Sequence, residues 1–332
     1  MKIEIKSLQV VRAIAAVSVV LNHMIGASPG DIFYFTRSIG DIGVDLFFVL
    51  SGLIMIFTMK ESETPLDFLK KRIIRIYPAY LILSLPIFLW SIYKLHPNAW
   101  DVITNITLIP RIDASFTRFN IVNWTLIYEM YFYVAMSIAM LASRNKKNVV
   151  LITSIIILTP LFLIPNTGGG AFENLSFKSI ASNYILIDFV AGMFIGFYFS
   201  KSPPNMVSSS WRPISSIIFF LASTTLMISS DLHLENDQVK RLLFSGIPSL
   251  IIIFIISYYK SNSFIFNKLK EIGDASYSIY LTHTTIRVIA WRFESIFIRF
   301  IFSIVAIVVG CLCYFFIEKR TISYFRRKHI KK

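Results

Sequence analysis

Leu8-Gln-Val-Val-Arg12-Ala-Ile-Ala-Ala-Val-Ser-Val-Val-Leu-Asn-His23-Met-Ile-Gly26 is the stretch that decides the fold. It is long and apolar enough for a bilayer-spanning helix, yet it carries Arg12 and His23. Ionisable groups in lipid are costly and mark function by default, so this pair is the first candidate site. Eleven residues separate the two. At about 100° per residue they share one helix face, roughly 16 Å apart along the axis. Lys2 and Lys6 ahead of the run suggest a signal peptide, but its length and two ionisable residues predict an uncleaved first span.

The rest of the chain has the same character. Hydrophobic residues make up 55% of 332 and only 16% are charged, with a mean hydropathy of +0.65. A soluble core cannot hide so much apolar surface, so a polytopic membrane protein is expected. Windows able to cross about 30 Å of hydrocarbon fall at 8–26, 41–59, 74–93, 121–142, 149–164, 183–200, 213–229, 241–259, 273–290 and 297–317. Of these, 149–164 is short and 183–200 carries Asp188; the patch Val102–Ile109 is too short to span and reads as a re-entrant or interfacial piece. The expectation is an all-α integral membrane protein of about ten transmembrane helices. One membrane-embedded domain is expected to fill 1–332, with no appended soluble domain.

The 33 Lys and Arg outnumber the 19 Asp and Glu, and the net charge is +14. Nucleic acid is not needed to explain this, because the cations follow topology. With Arg12 counted at the N-terminal side, twenty-three of them fall at the N-terminus and in 60–75, 143–148, 201–212, 260–272 and 318–332. These are the segments that ten crossings place on one side, so both termini are predicted to be cytoplasmic. The long outer segments are then 94–120 and 165–182, the latter with Gly168, Gly169 and Gly170. Cys311 and Cys313 are two apart in the last apolar run; they point to different helix faces, which rules out a mutual disulfide.

Several polar residues inside these windows carry possible chemistry. Arg72 and Arg75 enter the third span one turn apart, about 4.5 Å in height. Paired guanidinium forks at a helix N-terminus suit phosphate oxygens, although the same residues also read as anchors to anionic lipid. His23 is placed to take a proton from a hydroxyl nucleophile, or else to snorkel or hydrogen-bond another helix. Glu129, about 12 Å below the outer end of its span, needs a His or Arg partner. Asp45 falls one turn into the second window, nearly at the depth of His23, where an acid also suits the positive end of a helix dipole. Ser51 and His283 are further polar core groups, and an interhelical hydrogen bond alone accounts for His283. The chain has no G-x-S-x-G elbow, P-loop, H-E-x-x-H or clustered Cys/His ligands, and no metal is expected. His233-Leu-Glu-Asn-Asp237 is one residue short of an H-x4-D motif and reads as loop.

Five blocks in order, Leu8 to His23, Gly43-Val-Asp-Leu-Phe-Phe-Val-Leu-Ser51-Gly52, Arg72-Ile-Ile-Arg75-Ile-Tyr-Pro78, Trp124-Thr-Leu-Ile-Tyr-Glu129-Met and Ser276-Tyr-Ser-Ile-Tyr-Leu-Thr-His283, closely resemble the acyltransferase 3 family. The resemblance implies an integral membrane enzyme that moves an acyl group, usually acetyl from acetyl-CoA, onto extracytoplasmic sugars such as O-antigen, exopolysaccharide or Nod factor. It implies that Arg12 and His23 match the family's Arg-x10-His motif, with His23 catalytic, and that Arg72 and Arg75 match its Arg-x-x-Arg motif for the donor's phosphates. Two departures stand out. Gln9 and Val10 replace part of the usual Leu-Asp-Gly-Leu-Arg start, and Glu129-Met130 replaces a pair of glutamates, leaving Glu129 as the single carboxylate there.

The expected reaction carries acetyl from cytoplasmic acetyl-CoA across a bacterial inner membrane to a hydroxyl of a lipid-linked or surface polysaccharide. Its partners are the lipid bilayer, acetyl-CoA as co-substrate and the glycan acceptor. His23 serves as proton acceptor or acyl carrier, Glu129 and less readily Asp45 orient it, and Arg12, Arg72 and Arg75 hold the donor. Trp100, Arg111, Arg118 and Asn120 are candidates for sugar contact by location alone. The competing class is a proton-coupled transporter or lipid-linked glycan flippase, which repeated halves and matching broken helices would reveal; neither is found. A scaffold of a polysaccharide assembly is a third reading.

Overall fold

The computed structural model describes residues 5–26, 31–112, 114–165, 175–230 and 236–330; Lys2, Gly168, Gly169, Gly170 and His233 lie outside them. The helices are α1 (Lys6–Ile25), α2 (Phe35–Thr58), α3 (Pro65–Leu95), α4 (Ala99–Thr107), α5 (Asn123–Ala142), α6 (Lys146–Leu163), α7 (Phe177–Ala181), α8 (Leu186–Lys201) and α9 (Trp211–Ser230). Next come α10 (Asp237–Arg241), which runs through a π turn at Leu242–Gly246 into α11 (Ile247–Ile256), then α12 (Phe264–Asp274) and α13 (Ser276–Ala290). The last are α14 (Ile296–Cys313) and, beyond a second π turn at Tyr314–Glu318, α15 (Lys319–Ile330). Among the described residues there is no strand, only a bridge between Val207 and Tyr259.

The expected all-α membrane fold is what the chain forms. Among the described residues, eight helices are long and apolar enough to cross a bilayer. The two windows that fall short are 183–200, realised as the 16-residue α8, and 273–290, where the helix is interrupted at Ala275 between α12 and α13. Large apolar side chains such as Leu85, Leu89, Ile218, Phe297 and Val308 point outward, as lipid-facing positions do when every backbone polar group is satisfied within a helix.

Local sequence explains the helix ends. Thr64 precedes Pro65 and its hydroxyl accepts from the Asp67 amide at 3.1 Å, an N-cap followed by proline at the first helical position. Helix α1 stops at Gly26, whose φ of +58° turns its N–H back to Asn22 O at 3.1 Å, the left-handed ending that glycine permits.

Helices α2 and α8 approach closely enough for backbones to touch. A Cβ on Gly52 would collide with Phe189 O, and one on Gly192 or Gly196 with Val49 O or Leu53 O. Gly192 and Gly196 form the small-xxx-small spacing that lets membrane helices meet in this way. The two helices run in parallel, and Lys146 Nζ ties their ends together by donating to Phe57 O and Ser200 Oγ at 3.2 and 3.1 Å. The end of α12 and α13 together run alongside α1 in the same manner, from Gly273 against Gln9 to His283 beside His23.

The patch at Val102–Ile109, expected to be re-entrant or interfacial, folds back along α3. Contacts between α3 and the 98–123 segment step down α3: Ser91 Oγ to Phe119 O at 2.8 Å, Asn120 Nδ2 to Ser84 Oγ at 3.2 Å, Tyr80 OH to Asn105 O at 2.5 Å, and Tyr77 OH to Thr107 O. The stretch of α3 from Tyr77 to Ser91, about 21 Å of rise, is thereby lined with polar groups. Helix α5 consequently begins at the depth of Tyr80 rather than at a membrane boundary, since Asn123 Nδ2 bonds Asn105 Oδ1 at 2.8 Å.

Candidate active site

Among the described residues, the polar groups that α1 and α13 bring together with α3 and α5 fall into three layers. The lowest surrounds a cavity with about 820 Å³ of empty space, part of it open to the outside, whose walls include Arg12, Ser51, Arg75, Glu129, Tyr133 and Tyr277. Glu129 accepts from Ser51 Oγ at 3.2 Å and from Tyr133 OH. Arg12 shares this wall with Arg75 and Glu129. Two guanidiniums and one carboxylate line the cavity itself, so its wall is net positive and suited to an anion. Tyr277 OH donates to Ile76 O at 3.0 Å, and Glu318, just beyond, accepts from Ser278 Oγ at 2.5 Å.

The middle layer is aromatic. Tyr280 and Thr125 line the top of the cavity and share a hydrogen bond of 2.8 Å. Phe47 packs edge-on against the Tyr280 ring with centroids 6.1 Å apart. On its other side the Tyr280 ring lies 5.9 Å from that of His283, so one side chain links the cavity wall to the layer above.

The upper layer is a histidine pair. His23 Nδ1 and His283 Nε2 are 2.8 Å apart, and the rings are nearly parallel, 13° between planes. His283 is fully buried. The His23 carbonyl accepts from Arg287 Nε and Trp291 Nε1, both at 3.0 Å. Arg299 donates to Ile25 O at 3.2 Å, and both Arg287 and Arg299 lie against the Trp291 ring.

The predicted residues are thus brought together in part, and four placements differ from expectation. Glu129 belongs to the arginine layer and not beside His23, because the re-entrant segment sinks the start of α5 and every residue on it. Asp45 does not sit in the first turn of its helix: α2 begins at Phe35, which removes the dipole argument. Its carboxylate accepts from Arg241 Nη2 and Nε at 2.6 and 2.9 Å. Arg72 is turned from the cavity, onto the rings of Phe68 and Tyr133 at 5.1 and 6.0 Å. Asn120 is buried and bonded to Ser84 and the Val122 amide, so it holds the loop rather than facing a ligand.

Sequence reasoning missed Arg241, Arg287 and Glu318. Arg241 and Glu318 lie at or just past the edge of an apolar window, where a charge passes as a boundary residue. For Arg287 a signal existed: His283, Arg287 and Trp291 recur every four residues, one face of a helix.

A family model described as an acyltransferase domain matches residues 5–317, from the helix of Arg12 and His23 to the second π turn. The chain belongs to the acyltransferase 3 family. Among curated relatives of this family member, the exopolysaccharide production protein ExoZ of Rhizobium meliloti is 28% identical over 260 residues, 74% of this chain and 76% of ExoZ. An O-acetyl transferase of Shigella phage Sf6 is 28% identical over 158 residues, 42% of this chain and 47% of the relative. The peptidoglycan O-acetyltransferase OatA of Listeria monocytogenes is 25% identical over 323 residues, 84% of this chain and 49% of OatA. The chain therefore spans about half the length of the last two. No solved structure matches it. The family member is a multi-pass membrane acyltransferase, and the three layers lie within the matched region.

Proposed function

We propose that this protein takes acetyl from acetyl-CoA on the cytoplasmic side and esterifies a hydroxyl of a polysaccharide, lipid-linked or at the surface, on the other side of a bacterial inner membrane. The single observation that carries this reading is the column of polar groups through an apolar bundle: the Arg12, Arg75 and Glu129 cavity, Tyr280 with Thr125 above it, and His23 with His283 at the top. The names of ExoZ and OatA support a glycan acceptor.

The donor's phosphates sit at the positive cavity wall, held by Arg75 and Arg12. Its acyl arm rises past Tyr280 toward His23, about 16 Å above Arg12. The Tyr280 and Thr125 hydroxyls bond each other, and Thr125 Oγ1 also donates to Val122 O at 3.0 Å, so Tyr280 OH is the group that can turn to the arm as it passes. His23 takes the proton of the sugar hydroxyl as that oxygen attacks the thioester carbonyl. The carbon–sulfur bond breaks, the proton passes to the departing sulfur, and the products are an acetyl ester and the free thiol.

Membranes holding the protein, given labelled acetyl-CoA and acceptor polysaccharide, are expected to form a labelled ester labile to mild base. His23→Ala should lower its formation by about a hundredfold or more at equal protein abundance. A His23→Ala variant with wild-type ester formation overturns the assignment of His23. Movement of glycan or protons without any ester formed overturns acyl transfer itself.

A further inference from the structure

His283 is needed by neither the donor site nor the acceptor, yet it is fully buried and touches His23. Its two nitrogens are both engaged. Nδ1 lies 3.1 Å from Ile279 O, the carbonyl one turn back on α13, and a carbonyl only accepts, so Nδ1 carries a hydrogen. In the neutral ring Nε2 then offers a lone pair, and the atom facing it at 2.8 Å is His23 Nδ1. A lone pair facing that nitrogen requires His23 Nδ1 to hold its hydrogen there. The remaining nitrogen of His23, Nε2, is left with the free lone pair.

We infer that His283 is a positioning residue that fixes the tautomer of His23, with the proton on Nδ1 and Nε2 as the nitrogen that meets the substrate. This rests on the reading of His23 as the group that takes the hydroxyl proton, and it adds which nitrogen does so and what selects it. The backbone supports the same end. Arg287 and Trp291, one and two turns beyond His283, both donate to the His23 carbonyl, and the Trp291 ring closes against Gly26 so that no Cβ fits there. Ring and main chain of His23 are thus held by a single face of α13, and rotation of the imidazole about its bond to Cβ would break the 2.8 Å contact. A wrong tautomer presents an N–H, which cannot accept a proton, where the base is needed.

The test is a nitrogen-15 spectrum of the histidine-labelled protein in lipid, with the His23 signals assigned by their loss in His23→Ala. The expected spectrum has a protonated Nδ1 and an unprotonated Nε2 on His23 in the wild type, and a shift toward protonated Nε2 in His283→Leu. In the ester-forming assay His283→Leu should lower kcat by about tenfold to a hundredfold with KM for acetyl-CoA unchanged. His283→Gln, whose side-chain carbonyl still accepts from Nδ1–H, should recover most of the rate. A wild-type spectrum with Nε2 protonated overturns the inference, as does wild-type kcat in His283→Leu or a Gln variant as slow as the Leu variant. The spectrum needs no folding of a variant at position 283 and no activity, so its outcome is separate from that of the proposed reaction, which fails instead if His23→Ala remains active.

Discussion

A guanidinium inside a bilayer needs a partner or a polar cavity, and the arginines of the Arg72/Arg75 pair have found different ones. Arg75 lines the cavity, whereas Arg72 rests on the faces of Phe68 and Tyr133. Their substitutions should therefore separate. Arg75→Ala removes a charge-assisted contact to phosphate and should raise KM for acetyl-CoA by roughly tenfold or more. Arg72→Ala removes ring contacts of about 1–2 kcal/mol and should lower the thermal midpoint in detergent with KM near the wild type. Equal effects on KM would return both residues to one donor clamp. The sequence already held the face shared by Arg12 and His23, because spacing along one helix is arithmetic. It did not hold the separation of Arg72 from Arg75, which depends on where aromatic rings of α5 arrive, nor the depth of Glu129, which depends on a re-entrant segment that no periodicity reports.

At the scale of elements, α2 is the helix that others read. Its Val49–Leu53 stretch accepts the glycines of α8, and Asp45, one turn earlier, accepts two hydrogen bonds from Arg241 at the end of α10. Arg241 also reaches Asp41 at 3.3 Å, so one cation fastens α10 to two successive turns of α2. The Asp45 carboxylate is fully buried, and removing one partner from such a pair leaves a charge without compensation. Arg241→Met is expected to cost about 3–5 kcal/mol of stability, seen as lost folded protein in a detergent melt. The double variant Asp45→Leu with Arg241→Met should regain a substantial part, because the pair's own desolvation goes with it. If Asp45 instead acted on His23, the double variant would be folded and inactive; folded and active is the expected result. The segment Gly43–Gly52 is legible as one block only through resemblance, since neither the glycine contact nor the arginine partner is local in sequence.

For the whole molecule the open quantity is the number of crossings, and contact levels decide what to expect. Helix α8, 16 residues long, is short by composition, yet it runs parallel to α2 from the Asp45 level to the common tie at Lys146. Helix α13 is 15 residues, yet with the end of α12 it accompanies α1 from Gln9 to His23 and its carbonyl. A helix that keeps pace with a full-length span across the same depth crosses the same thickness. Ten crossings are therefore the expectation to test, with the basic segments expected on the cytoplasmic side. Eight crossings would also leave both termini together, so the termini alone do not discriminate; the loops on either side of α9 and α11 do. In a chain with Cys311 and Cys313 replaced by Ser, single cysteines at Ser208 and Asn262, both exposed, should resist an impermeant maleimide added to intact cells and react once the membrane is opened. Cysteines at Lys94 and Glu294, also exposed, should react from outside. Were α8 and α13 to stop short of crossing, Ser208→Cys and Asn262→Cys would label from outside, and the path from a cytoplasmic donor to an imidazole at the far end of α1 would have to be redrawn.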